Sequence, residues 1–200
     1  MIPKVNYQQF GWIELITGCM FAGKTEEFIK RLKRHHFAKR QIVVFKTIID
    51  NRYSDEEIFS HSGMSIKAHV VQTSDDVKRV IEEYQQKSIE IDVVGIDEVQ
   101  FFDKGLVSIC QNLADQGMIV ITTGLDKDYR NEPFQNVDEL LIYAEKVDKL
   151  QAVCRVCGQD ANRTQRIVNG KPAKKDEPLI IVSGEEQYEA RCRFHYQKPM

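Results

Sequence analysis

Residues 18–25 read GCMFAGKT and satisfy the pattern GxxxxGK(S/T) in full. Gly18 and Gly23 let the backbone take positive φ and approach a ligand closely, so successive N–H groups can converge on phosphate oxygens. Lys24 would then reach the β- and γ-phosphates of a nucleotide, and the Thr25 hydroxyl would complete an Mg²⁺ shell. A second group suits proton and metal chemistry. The apolar run Ile91 to Ile96 ends in Asp97 and Glu98. An Asp at a strand end can hold magnesium, directly or through water. An adjacent Glu can accept a proton from an attacking hydroxyl or orient a water. Acids at a strand end usually just meet solvent; the phosphate loop upstream is what argues for chemistry here.

Cys154 and Cys157 form one pair with a two-residue gap, and Cys192 and His195 form another. Two such pairs complete a tetrahedral Zn²⁺ site with no open position, so the site would be structural. The chain has five cysteines, and Met1 to Phe10 shows no apolar stretch with a cleavage site, so ligation is favoured over a disulfide framework. Cys19 and Cys110 then read as buried small hydrophobes. Phe101, Phe102, Tyr129, Phe134 and Tyr188 flank the suspected site loops, although aromatics by themselves read as core.

These groups need a scaffold. Two hundred residues, 42% of them apolar and 29% charged, allow one mid-sized domain with at most a small appendage. A net charge of −2 produces no strong field, so the footprint of a nucleic-acid binder is missing. The basic cluster from Lys30 to Arg40 alternates with Phe28, Ile29, Leu32 and Phe37, and reads as the solvated face of an amphipathic helix. No apolar run approaches the ~20 residues of a membrane span.

Strands are expected at Trp12–Thr17, Gln41–Phe45, Ile91–Ile96 and Met118–Thr122, with the stretch Lys149–Val153 following the last helix. Helices are expected at Glu26–Phe37, after a Ser74 cap, at Gly105–Ala114 and at Val137–Ala144, with a long loop of little regular structure over residues 47–67. Apolar strands separated by helices predict an α/β fold, a mostly parallel sheet with helices on both faces. After Val153 the character changes. Arg163–Val168 reads as a strand entering a tight turn at Asn169–Gly170, Lys171–Pro178 as a loop, and Leu179–Val182 as a short strand. So small a segment lacks a self-sufficient core and needs a staple. The expected division is a nucleotide-binding unit at 1–150 and a zinc-binding lobe at 151–200.

The assembled set resembles the type II thymidine kinases, which join a P-loop domain to a zinc-bearing lobe. The resemblance runs from Gly11 to about His195 and rests on GCMFAGKT at 18–25, GIDEVQFF at 95–102, GLDKDY at 124–129, CRVC at 154–157 and the Tyr188-to-Cys192 spacing. It implies a P-loop NTPase-like fold and transfer of the ATP γ-phosphoryl to the 5′-hydroxyl of thymidine, and of deoxyuridine, in nucleotide salvage. By the same resemblance Glu98 is the general base. ATP falls to Gly18, Met20, Phe21, Ala22, Gly23, Lys24, Thr25, Asp50, Arg52, Asp97 and Gln100, with Thr25 and Asp97 around Mg²⁺. Met20, Phe101, Leu125, Tyr129, Phe134, Leu179, Ile181 and Tyr188 surround the nucleoside. Residues 168–181 match a lasso that folds over the base. The resemblance also implies a cytoplasmic homotetramer inhibited by dTTP, with neither nucleic acid nor membrane as partner. Three positions depart from the family pattern: Cys19 stands where Pro is frequent, Gln135 where Gly is common, and His195 where some relatives carry Cys.

Overall fold

The computed structural model describes residues 10–49, 57–60, 63–179 and 187–200. Its central sheet follows from strict alternation. In β1 (Trp12–Gly18), Ile13 and Leu15 enter one core while Ile16 enters the other. Helix α1 (Lys24–Phe37) leads to β2 (Ile42–Thr47), where Val43 and Phe45 face opposite to Val44. A short hairpin of β3 (Glu57–Phe59) and β4 (Ser65–Lys67) precedes β5 (His69–Val71) and α2 (Ser74–Gln86). Then come β6 (Val93–Ile96), a 3₁₀ turn at Val99–Phe101, α3 (Leu106–Asp115), β7 (Ile119–Leu125), α4 (Val137–Tyr143) and β8 (Lys146–Leu150).

The six strands pair in the order β5-β2-β6-β7-β1-β8, and every pairing is parallel. Helix α1 covers one face with Phe28, Ile29 and Leu32. Helices α2, α3 and α4 cover the other through Val77, Ile81, Leu106, Cys110, Leu113, Val137 and Leu140. Burial on both faces explains why these strands read as continuous apolar runs. This is the expected P-loop-like α/β architecture. Because all strands run the same way, the ends of β1, β6 and β7 share one edge. Gly18 pairs with both Leu125 and Leu150, and Ile96 with Thr122. Ligands of open α/β sheets bind at this edge.

The remaining strands form the C-terminal lobe: β9 (Ala152–Val153) with β10 (Asp160–Ala161), and β11 (Arg163–Val168) between β12 (Lys171–Pro172) and β13 (Gln187–Arg191). Among the described residues, no helix is long and apolar enough to cross a membrane.

Several expectations need correction. The 47–67 stretch is not uniformly irregular, because Ile58 and Ile66 bring β3 and β4 onto the α1-side core. The cap of α2 is Thr73, not Ser74. Thr73 Oγ1 accepts from the Asp76 N–H while Asp76 Oδ2 accepts from the Thr73 N–H, a reciprocal pair that a lone Ser cannot supply. Ser74 instead binds Asp103 through its N–H at 2.8 Å and its hydroxyl at 2.6 Å. Strand β7 continues beyond Thr122 because Thr123 to Leu125 keep pairing with β1. The expected loop from Lys171 begins as strand β12, closing a hairpin on β11 through Asn169–Gly170, both at positive φ. Of the strand expected at Leu179–Val182, Leu179 lies outside any strand and residues 180–182 fall outside the described residues.

Candidate active site

The phosphate loop leaves β1 at Gly18 and enters α1 through Gly23, which sits at φ 80°. That conformation is open to glycine at little cost, and it aims the first-turn amides of the helix out of the loop. Phe21 also has positive φ, 67°, and its ring is exposed. Lys24 is buried, and its Nζ donates back across the loop to the Cys19 carbonyl at 2.9 Å. Burial lowers its pKa from the ordinary lysine value, opposed by the nearby charges of Glu98, Cys19 and Asp97. Thr25 follows on the same turn, half-buried.

At the end of β6 the chain places two buried carboxylates side by side. Asp97 Oδ1 accepts the Glu98 N–H at 3.0 Å, and Glu98 takes the left-handed conformation with φ 50° and ψ 50°. This arrangement costs a non-glycine residue of order 1–2 kcal/mol. The Glu98 carbonyl accepts the Phe101 N–H at 3.0 Å, starting the 3₁₀ turn that carries Gln100. Gln100 Nε2 donates to Glu98 Oε2, and Gln100 Oε1 accepts from the Leu125 N–H at 3.1 Å. The site allows this only because residue 124 is glycine. A Cβ there would meet Gln100 Oε1 at 2.8 Å and the Val99 and Val137 methyls at 2.9 Å.

Beside the carboxylates lies an aromatic wall. Phe101 and Phe134 meet edge to face with centroids 6.5 Å apart. Buried Asn136 holds the turn beneath them, its Nδ2 donating to the Val99 and Phe102 carbonyls at 2.9 Å. Met20 and Leu125 are half-buried at the same edge, and the Met20 N–H donates to Thr164 Oγ1 at 3.1 Å. Tyr188, half-buried on β13, pairs with Arg166 on β11. Tyr129 is buried, with the Arg130 and Arg166 guanidiniums 5.2 and 5.0 Å from its ring centroid. Leu179 is partly exposed at the end of the segment that follows β12. Asp50, Arg52 and Ile181 fall outside the described residues.

Residues outside any sequence motif also meet these groups: Thr164 receives the Met20 amide and Arg166 lies over the Tyr129 ring. Arg163, Thr164, Gln165 and Arg166 are all buried on β11. Four consecutive buried polar residues on one strand require polar partners on both of its faces, unlike an apolar core strand. The polar RTQR string is legible in the sequence, but only the fold reveals its burial. Asp126 is likewise buried, its Oδ2 bound by Lys127 at 2.7 Å and Lys149 at 3.0 Å. Its N–H donates to the Gly18 carbonyl, tying the end of β7 to the phosphate loop.

The four candidate ligands do meet. The donor atoms of Cys154, Cys157, Cys192 and His195 all lie within 4.8 Å of one another. His195 Nδ1 is 3.3 Å from Cys192 Sγ and 3.9 Å from Cys154 Sγ, and Cys157 Sγ is 3.8 Å from Cys192 Sγ. Three thiols and an imidazole converging at this spacing are a borderline-soft donor set that suits a metal such as zinc. Burial opposes ionisation of Cys154, yet the backbone N–H groups of Cys192, Val156 and Cys157 bring its thiol down to about 6. The cluster also touches the phosphate loop. Cys19 and Ala22 pack with Ala152, Cys154, Ala161, Ala190 and Cys192, and the Cys19 thiol lies 3.4 Å from the Ala161 carbonyl.

Residues 11–196 match the family profile described as thymidine kinase. A thymidine kinase of Mycoplasma capricolum subsp. capricolum is 57% identical over 198 residues, covering 99% of this chain and 94% of that protein. One from Mesoplasma florum is 55% identical over 202 residues, covering 98% of each. One from Mycoplasma mycoides subsp. mycoides is 57% identical over 192 residues, covering 96% of this chain and 91% of the relative.

Proposed function

The chain belongs to the thymidine kinase family and is a kinase that phosphorylates thymidine in nucleotide salvage, and from that premise we propose how its residues divide the work. The single observation that carries the assignment is the placement of two buried carboxylates beside the phosphate loop, at the edge where β1, β6 and β7 end.

Amides of Gly18, Phe21, Ala22 and Gly23 cradle the ATP phosphates, with that of Met20 joining them on exchanging Thr164 Oγ1 for a phosphate oxygen, and the positive end of α1 favours their charge. Lys24 turns from the Cys19 carbonyl to the β- and γ-phosphates, exchanging a neutral acceptor for a charged one. Gln100 joins the ATP set through its second amide N–H, and Asp50 and Arg52 complete it. Thr25 and Asp97 offer hard oxygen donors that suit Mg²⁺, which when bound neutralises developing phosphate charge.

Glu98 accepts the proton of the thymidine 5′-hydroxyl as that oxygen attacks the γ-phosphorus and the bond to the bridging oxygen of ADP breaks. Gln100 fixes the carboxylate beforehand, so most of the rate comes from positioning and charge stabilisation. Met20, Phe101, Leu125, Phe134, Leu179, Ile181 and Tyr188 enclose the thymine and deoxyribose, with Tyr129 at the pocket's edge and residues 168–181 as the lasso. Cys154, Cys157, Cys192 and His195 hold a structural zinc. The chain works as a 1–150 nucleotide-binding unit and a 151–200 zinc lobe, in the cytoplasm, as a homotetramer restrained by dTTP. The exposed Leu141, Ile142 and Tyr143 of α4 beside Val147 of β8 are an apolar patch compatible with assembly.

The test is a phosphoryl-transfer assay with labelled ATP across a nucleoside panel including deoxyuridine. Transfer to thymidine is expected. ATP turnover independent of any nucleoside would instead mark a hydrolase in which Glu98 activates water.

A further inference from the structure

Arg166 is the largest of the fully buried side chains, yet it carries a permanent charge. Burying an unsatisfied guanidinium would be strongly unfavourable, so its partners reveal its work. One terminal nitrogen donates to the Pro178 carbonyl, and the other lies 3.4 Å from Glu177 Oε2. Its plane sits against the Tyr129 ring, 5.0 Å from the centroid. The Tyr129 hydroxyl reaches the same segment, 2.8 Å from the Glu177 carbonyl and 3.1 Å from that of Lys174. Arg130 adds a bond to the Glu177 carbonyl at 2.8 Å. Glu177 Oε1 in turn accepts the Lys174 N–H at 3.1 Å, and the Ala173 N–H donates to the Arg166 carbonyl at 3.0 Å.

Two guanidiniums and a phenol, from two distant stretches of chain, therefore converge on the backbone of residues 173–178. These residues lie within the segment read above as the lasso. We infer that Arg166 is a positioning residue whose stack on Tyr129 and fork to Glu177 and Pro178 hold the 173–178 arm against the 129–130 loop, and so set the affinity for the nucleoside. Tyr129 in this account serves chiefly as the post of the latch, because its ring already faces two guanidiniums. Among the described residues, the contacts named above join the latch to the 129–130 loop and to residues 173–178, so its effect is expected on thymidine binding rather than on ATP binding. The inference rests on the nucleoside-site reading above.

The experiment compares Arg166→Lys and Glu177→Gln with the wild-type chain. Lysine keeps the charge but cannot fork to two acceptors while lying flat on a ring, and Glu177 is partly exposed, so its substitution leaves the core intact. Both variants are expected to raise the thymidine KM, about tenfold for Arg166→Lys, which loses a charge-assisted contact. The expected kcat and ATP KM stay within about twofold of wild type. The double variant should be no worse than Arg166→Lys, because one contact is shared. Amide exchange at residues 173–178 should accelerate in both. Unchanged thymidine KM and unchanged exchange would overturn the inference, as would an ATP KM that rises in step with that of thymidine. A wild-type chain inactive on thymidine would overturn the functional reading, and the exchange arm would then read the latch on its own.

Discussion

Gln100 holds Glu98 from two residues away: its amide nitrogen donates to Glu98 Oε2 while its amide oxygen takes the Leu125 N–H at 3.1 Å. One side chain thereby links the carboxyl end of β6 to that of β7 and orients the proposed base. Replacing Glu98 by Gln should lower kcat by ~10²–10⁴, the usual cost of removing a general base. Affinity for a non-hydrolysable ATP analogue, measured by calorimetry, should stay within about twofold. Replacing Gln100 by Met should lower kcat by roughly tenfold, because the carboxylate survives but loses the bond from Gln100 that orients it. An ATP-analogue affinity that collapses in Glu98→Gln would contradict the division of roles.

Gly124→Ala tests the same link without substituting either residue. The new Cβ would press on Gln100 Oε1 at 2.8 Å and on two valine methyls at 2.9 Å. Overpacking of this kind costs ~1–3 kcal/mol, which for a chain of this length is a Tm drop of several degrees. A kcat loss should accompany it as Gln100 is pushed from Glu98. A variant with wild-type Tm and kcat would show that the clearance around residue 124 is unimportant.

Cys157→Ser should abolish stoichiometric zinc, read by atomic absorption, because three ligands hold the ion far less tightly than four. ATP-analogue affinity should fall as well. Cys154, Cys192, Cys19 and Ala22 share one buried cluster, so slack at the metal reaches the phosphate loop directly. Retained zinc in Cys157→Ser would remove that residue from the ligand set. Unchanged analogue affinity in zinc-depleted protein would show that the packing transmits nothing.

The α2 and α3 starts are joined by Asp103, which accepts from Ser74 N, Ser74 Oγ and Gly105 N. Burial raises its pKa, but these hydrogen bonds outweigh it and hold the carboxyl below the ordinary 3.8. The ionised form is therefore the stabilising one. Its contribution is complete above the unfolded value and fades as pH falls through the lower folded value. Asp103→Asn should cost about 1 kcal/mol near neutrality, and the Tm difference from wild type should shrink as the buffer is taken below about pH 4. A difference that stays constant across that range would place the effect elsewhere.

Local chemistry alone specifies the phosphate loop, since a turn of positive φ between an apolar strand and a helix needs Gly18, Gly23 and Lys24 in their order along the chain. It also specifies the parallel sheet, through two-faced apolar runs at β1, β2, β6 and β7, and it marks the two ligand pairs by their spacing. Thr73 and Ser74 are both good caps by type, and only the reciprocal bond to Asp76 separates them and puts the cap of α2 at Thr73. Other features required the folded chain. Nothing local tells that Arg166 is buried, that Thr164 reaches the Met20 amide, that Gly124 makes room for Gln100, or that the metal cluster packs on Cys19. Backbone propensity and hydrophobic period act between neighbours in sequence, whereas a buried charge or a clearance of a few ångströms is defined by what other segments place beside it. The chemistry was therefore legible in the order of residues, and its alignment was decided by contacts between segments far apart in the chain.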